Sequence, residues 1–157
     1  FKNPEKNQAA DQIDVEILTL VALLHCSGKP IDKTRAFYCI LQEGGFEAHD
    51  MISAQDKDFA PVFEKLIRLS TADVFSLAEK TGNVPRIYEE DEVKLLVSED
   101  LIEGLREDHF LEEVYGAQSR LQNDVWVEKV SKVANWVFDA CELRKKVFDS
   151  ASIPMRH

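Results

Sequence analysis

Apolar residues along this chain recur every three or four positions between short polar breaks, which is the period of helices rather than strands. Over residues 13–25, Ile13, Ile17, Leu20 and Leu24 form one stripe, and Leu18, Val21 and Leu23 widen it almost all round. That pattern predicts a buried helix. Ser27-Gly28-Lys29-Pro30 stops it, because glycine accepts a left-handed cap and proline cannot continue the helix. A second helix is expected behind Asp32 as N-cap, carried by Ala36, Phe37, Ile40 and Leu41 and ended by Gly44-Gly45. A third covers residues 55–69 on Phe59, Val62, Phe63, Leu66 and Ile67, with Pro61 tolerated in its opening turns. Ser70-Thr71-Ala72-Asp73 reads as a cap for a short fourth helix reaching Lys80.

Thr81-Gly82-Asn83-Val84-Pro85 is the clearest break. Short helices are expected after it, over residues 89–97, 98–106 behind Ser98, and 109–115 up to Gly116. The last helix, residues 121–149, would be about 43 Å long at ~1.5 Å per residue. No sustained alternation marks a strand, so the fold class is all-α, with at most a two-residue pairing near Ile52 and Ile87. Residues 1–12 read as a flexible tail and residues 13–157 as one helical domain, with a subdomain boundary near 81–86.

Around the long last helix, Trp126, Val130, Val133, Val137, Ala140 and Cys141 share a central stripe. Val125, Trp136, Leu143 and Val147 gather on one flank, too far round for a single seam to cover both tryptophans. Trp126 is therefore expected in the core, and the Val125, Trp136, Leu143, Val147 flank is expected to bind a partner or a second copy. Asp124, Glu128, Ser131, Asn135, Asp139, Glu142 and Lys146 form the polar strip that remains.

Composition adds bounds. With 45% hydrophobic and 31% charged residues, the chain is globular rather than disordered. A net charge of −10 repels phosphate backbones, which argues against nucleic acid and suits basic peptides or cations. The one basic cluster, Arg144-Lys145-Lys146, suits the C-terminal end of a helix. Cys26, Cys39 and Cys141 are odd in number and widely spaced, and read as buried, reduced side chains in a cytoplasmic setting. The longest apolar run is too short for membrane insertion. Glu89-Glu90-Asp91-Glu92 reads as a solvated first helical turn, or as a contact for a basic partner.

Between the second and third helices lies "GGFEAHDMISAQDKDF". A calcium loop needs oxygen ligands at its positions 1, 3, 5, 9 and 12, glycine at 6 and an aliphatic residue at 8. With Ile52 at 8, Gly45 falls at 1, Glu47 at 3, His49 at 5, Asp50 at 6, Ser53 at 9 and Asp56 at 12. Position 1 lacks a carboxylate, position 6 lacks its glycine, and Asp56 is a methylene shorter than the bidentate glutamate. A second frame around Ile87 has no metal ligands worth the name.

In the spacing of "TRAFYCILQEGGFEAHDMISAQDKDFAPVFEKLI" (residues 34–67), the chain resembles the EF-hand superfamily in a degenerate form. The stretch "ISAQDKDF" matches its loop end and exiting-helix start, and the likeness extends into "TADVFSLAEKTGNVPRIYEEDEVKLL". The resemblance implies paired helix–loop–helix units around an aromatic core, acting as sensors or peptide-binding modules. It does not imply metal.

No catalytic constellation stands out. Adjacent helical residues such as His25 and Cys26 do not face each other, and His49 and His109 have no zinc-motif company. The reading is a non-catalytic protein-interaction or regulatory module without cofactor, binding a protein or a basic peptide, within a larger assembly or as a homo-oligomer. The alternative is a calcium-responsive sensor using the irregular loop at 45–56, with Glu47, Asp50, Ser53 and Asp56 as ligands.

Overall fold

A computed structural model of the protein describes residues 14–42, 50–71, 80 and 88–154. The described residues form α1 (Val15–His25), α2 (Pro30–Leu41), β1 (Met51–Ser53), α3 (Phe59–Ser70), α4 (Glu90–Leu96) and α5 (Glu99–Gly104). A π-helical segment (Leu105–Leu111) leads into α6 (Glu112–Tyr115), followed by β2 (Arg120–Gln122) and α7 (Asn123–Val133). A 3-10 turn (Asn135–Phe138) then leads to α8 (Ala140–Ala151). The all-α fold class holds, and β1 and β2 form the two-stranded sheet. The fourth helix expected before Lys80, the boundary near 81–86 and Ile87 lie outside the described residues.

Helix starts follow local chemistry. Asp14 caps α1 by accepting from the Ile17 N–H at 3.2 Å. Pro30 opens α2 at its first position, where its missing N–H costs nothing. Asp32 therefore sits in the first turn rather than at the expected N-cap. In α3, Pro61 lies within the first turn, whose N–H groups have no helical acceptor.

The helices expected over 98–106 and 109–115 are one helical run. Backbone angles stay right-handed through Gly104, Leu105, Leu111 and Glu112. Bonding from i to i+5 brings residues five apart closer to one face, and Leu105 and Phe110 are both buried. Gly116 ends the run, as expected, with φ +57°.

The long last helix does not exist as one rod. Ala134 leaves helical geometry at φ −129°, ψ 20°. The Asn135 amide donates back to the Ser131 carbonyl at 3.0 Å, satisfying an acceptor that the helix end leaves free. Asp139 then caps α8 by accepting from the Cys141 N–H at 2.9 Å and the Glu142 N–H at 3.1 Å. Lys33 of α2 donates to the Phe138 carbonyl at 3.1 Å and ties the turn down. Asn135 and Asp139, read from the sequence as a polar strip, are the breaking and capping residues.

That break decides the core. Phe110 lies 6.5 Å from Trp126 and 6.4 Å from Trp136, centroid to centroid, so both tryptophans enter one aromatic cluster. Phe37 stacks on Trp126 at 6.3 Å, and Phe59 meets Phe110 at 4.9 Å. The buried side chains form one cluster reaching from Leu20 on α1 to Ile153 beyond α8.

Two helix–strand–helix units frame this core: α2–β1–α3, and the helical run of residues 99–115 followed by β2 and α7. The strands pair antiparallel with Ile52 opposite Leu121. Ile52 thus lies in a short pairing, as expected, but that pairing spans three residue pairs rather than at most two, and its partner is Leu121. The ladder continues through Ala54 N–H to the Ser119 carbonyl at 2.9 Å and Asn123 N–H to the Asp50 carbonyl at 2.7 Å. α1 packs on α3 with one face only: Leu20, Leu23 and Leu24 are buried, while Val15 and Leu18 are exposed. The expectation of a fully buried helix is corrected.

Candidate functional site

The loop end at Ile52 to Asp56 is a structural junction. One Asp56 carboxylate oxygen accepts from Gln42 Nε2 at 2.6 Å, and the other accepts from the Asp58 N–H at 2.9 Å. Asp56 thereby fastens the end of α2 to the start of α3. Ser53 Oγ accepts from the Gln55 N–H at 3.0 Å and shapes the same turn. Asp50 is exposed, and Glu47 lies outside the described residues. Among the described residues, no group of three or more His, Cys, Asp or Glu side chains is disposed to hold a metal ion.

Behind the strand pair runs a buried polar relay. The Trp126 indole bonds to the Tyr115 hydroxyl, and that hydroxyl donates to the Ile52 carbonyl at 3.3 Å. The indole is a donor only, so Tyr115 accepts from it and donates its own O–H to the strand carbonyl. Burial pushes the Tyr115 phenol far above its ordinary range. Tyr38 is also raised, first by burial and then by the nearby Asp50 and Asp56 carboxylates.

The flank expected to bind a partner is mostly core. Trp136 is 7% exposed and Leu143 and Val147 are fully buried, because the break at Ala134 turns this face inward. The Trp136 indole donates to Glu113 at 3.4 Å, and the Lys146 ammonium sits 5.0 Å from its ring centroid. Val125 alone of that set is exposed, at 36%. The cysteines are likewise corrected: Cys26, Cys39 and Cys141 are free and exposed.

The basic triplet serves the fold. Arg144 donates to the Ser70 carbonyl at 3.0 Å, at the C-terminal end of α3 rather than of its own helix. Lys145 pairs with Glu142 at 3.3 Å. In the acid run, Glu92 accepts from the Glu89 N–H at 3.0 Å and so caps α4, where carboxylates are favoured by the helix dipole.

Two adjoining clefts open beside this junction. The first, about 380 Å³, lies between α3 and the helical run of residues 99–115, over Pro61 and Ile102, and carries Glu64, Glu99, Glu103 and Arg106. Arg106 also lines the second, about 230 Å³, which reaches Asp56 and Lys57. Arg106 is turned to Glu107 at 3.4 Å and Glu64 to Arg68 at 3.2 Å, while Glu99 and Glu103 are exposed. A third cleft brings His109 beside Asp100, Asp108 and Ser150. The first cleft was not anticipated because its walls come from residues forty positions apart. Its only sequence signal is the Glu99–Glu103 spacing, which places both on one helical face.

No helix among the described residues is long and apolar enough to cross a membrane. Compared with protein-family models, curated proteins and solved structures, the chain matches none.

Proposed function

We propose that this chain is a non-catalytic interaction or regulatory module of EF-hand-like build with degenerate loops, binding a basic peptide in the cleft between α3 and residues 99–106. The cleft itself carries the reading. Among its lining residues, Pro61 and Ile102 suit an apolar side chain, and the exposed Glu99 and Glu103 suit a lysine or arginine, with Arg106 turned to Glu107. The chain's net charge of −10 steers basic partners toward it. The EF-hand-like build is supported by two helix–strand–helix units joined where the loop aliphatic Ile52 pairs with Leu121. Both Asp56 oxygens already hold the loop together, which supports degeneration of the site rather than calcium binding.

Fluorescence anisotropy with a labelled amphipathic peptide of leucine, lysine and arginine tests the cleft. Binding is expected for that peptide and not for its glutamate counterpart, and Glu99→Gln with Glu103→Gln should weaken it at least several-fold. Equal binding of both peptides, or no loss in the double variant, defeats the cleft reading. A calcium titration followed by thermal melting tests the sensor alternative. A ligand at 100 times its dissociation constant stabilises by about 2.7 kcal/mol, so millimolar calcium should leave the midpoint nearly unmoved. A rise of several degrees that disappears in Asp56→Ala would establish the sensor instead.

A further inference from the structure

The outer face of α1 carries an apolar row that stands exposed among the described residues. Val15 is 71% exposed, Leu18 56% and Val21 36%, and Ala22 beside them is exposed as well. The spacing of Val15, Leu18 and Ala22, three then four residues, is that of a helix-packing seam. Ala22 is exposed and small, so a large side chain from a facing helix can approach the axis beside Leu18. The charges at the two ends are of opposite sign. Asp14 and Glu16 stand at the start of α1, and the cation Lys29 follows four residues after its last residue, His25. Glu16 is held by Lys65 of α3 at 2.5 Å, whereas Asp14, which caps α1 through one carboxylate oxygen, and Lys29 are both exposed.

We propose that α1 is a self-association face, on which a second copy of this chain packs antiparallel. In that arrangement Leu18 of each copy packs over Ala22 of the other, and Asp14 of each meets the Lys29 end of the other. The helix dipoles also oppose favourably. A uniformly basic helix would match only one end of the row, whereas a second copy matches both. The overall repulsion between two acidic chains acts over longer distances and is screened beyond about 8 Å at physiological salt. So few side chains cover far less than the roughly 1,200 Å² of a stable interface. The pair is therefore weak and exchanges with monomer.

Sedimentation equilibrium under reducing conditions at physiological salt is the test, with the protein taken up to several hundred micromolar. The expected result is reversible dimerisation that Leu18→Lys abolishes without lowering the melting midpoint, since Leu18 is more than half exposed. Lys29→Glu should weaken dimerisation several-fold. Asp14→Asn should do the same while keeping a competent N-cap. Nitroxide labels on Cys26, in a Cys39→Ser, Cys141→Ser background, report orientation. At ~1.5 Å per residue an antiparallel pair holds them about 20–30 Å apart, and a parallel pair much closer. Monomer at every concentration, or a dimer indifferent to Leu18→Lys, overturns the proposal. A short label distance, or indifference to both end-charge variants, overturns the antiparallel arrangement. This outcome is independent of peptide binding at the cleft, which Leu18→Lys leaves intact.

Discussion

Tyr115 shows how one residue can hold several elements together. It sits between the Trp126 indole of α7 and the Ile52 carbonyl of β1, at the end of α6. Tyr115→Phe removes the acceptor for one buried donor and the donor for one buried acceptor, and should cost about 1–3 kcal/mol in urea melts at neutral pH. The alkaline limb gives a second check. A phenol raised in the folded state stays protonated there after the unfolded chain has begun to ionise, near pH 10. The unfolded state then binds fewer protons, so stability present below pH 10 falls as pH rises, by about 1.4 kcal/mol per pH unit for one such group. Lys65, raised first by its bond to Glu16, acts in the same direction. Tyr115→Phe should flatten the alkaline decline, and an unchanged slope would locate it elsewhere. Trp136 is the other decisive residue. Packed on Phe63 and Phe110, it should cost about 3–5 kcal/mol when changed to alanine, comparable to Trp126→Ala.

Among the elements, the break at Ala134 to Asp139 matters most. A continuous helix would hold Trp126 and Trp136 on different faces; the turn brings both onto Phe110. Asp139 caps two backbone N–H groups of α8, so Asp139→Ala should destabilise by about 1–2 kcal/mol. Asp139→Asn should recover most of that loss, because asparagine caps as well. Had the polar strip been merely solvated, both substitutions would be neutral. Asp56 has the corresponding role between α2 and α3, and Asp56→Ala should lower stability with or without calcium.

Over the whole molecule, the buried cluster draws on elements from both sides of the 81–86 stretch, and Tyr88 meets Phe148 at 5.1 Å. Such a core should unfold as one unit. Tryptophan fluorescence and far-ultraviolet circular dichroism are expected to give coincident urea transitions; separated midpoints would divide the chain into subdomains. The ion pairs bear little on this outcome. Glu90–Lys94 and Glu128–Lys132 are exposed, so solvent screening leaves them little weight in stability.

Much was legible in the residues alone. Helical periodicity, the stop at Gly28 to Pro30, the turn at Gly116 and the core aromatics Phe37, Phe63 and Trp126 are local or nearly local, because each follows from spacing, φ preference or hydrophobicity within a turn or two. The residues alone also placed Ile52 in a short strand. They did not show its partner, since Leu121 lies almost seventy positions away and pairing across that distance leaves no periodic trace. Trp136, Leu143 and Val147 read as an outer flank because a helical wheel assumes an unbroken axis, and Asn135 and Asp139 break it. Exposure of Val15 and Leu18, and of all three cysteines, was equally out of reach. Hydrophobicity states what burial a side chain favours, but the packing of every other element decides how much room the core has for it.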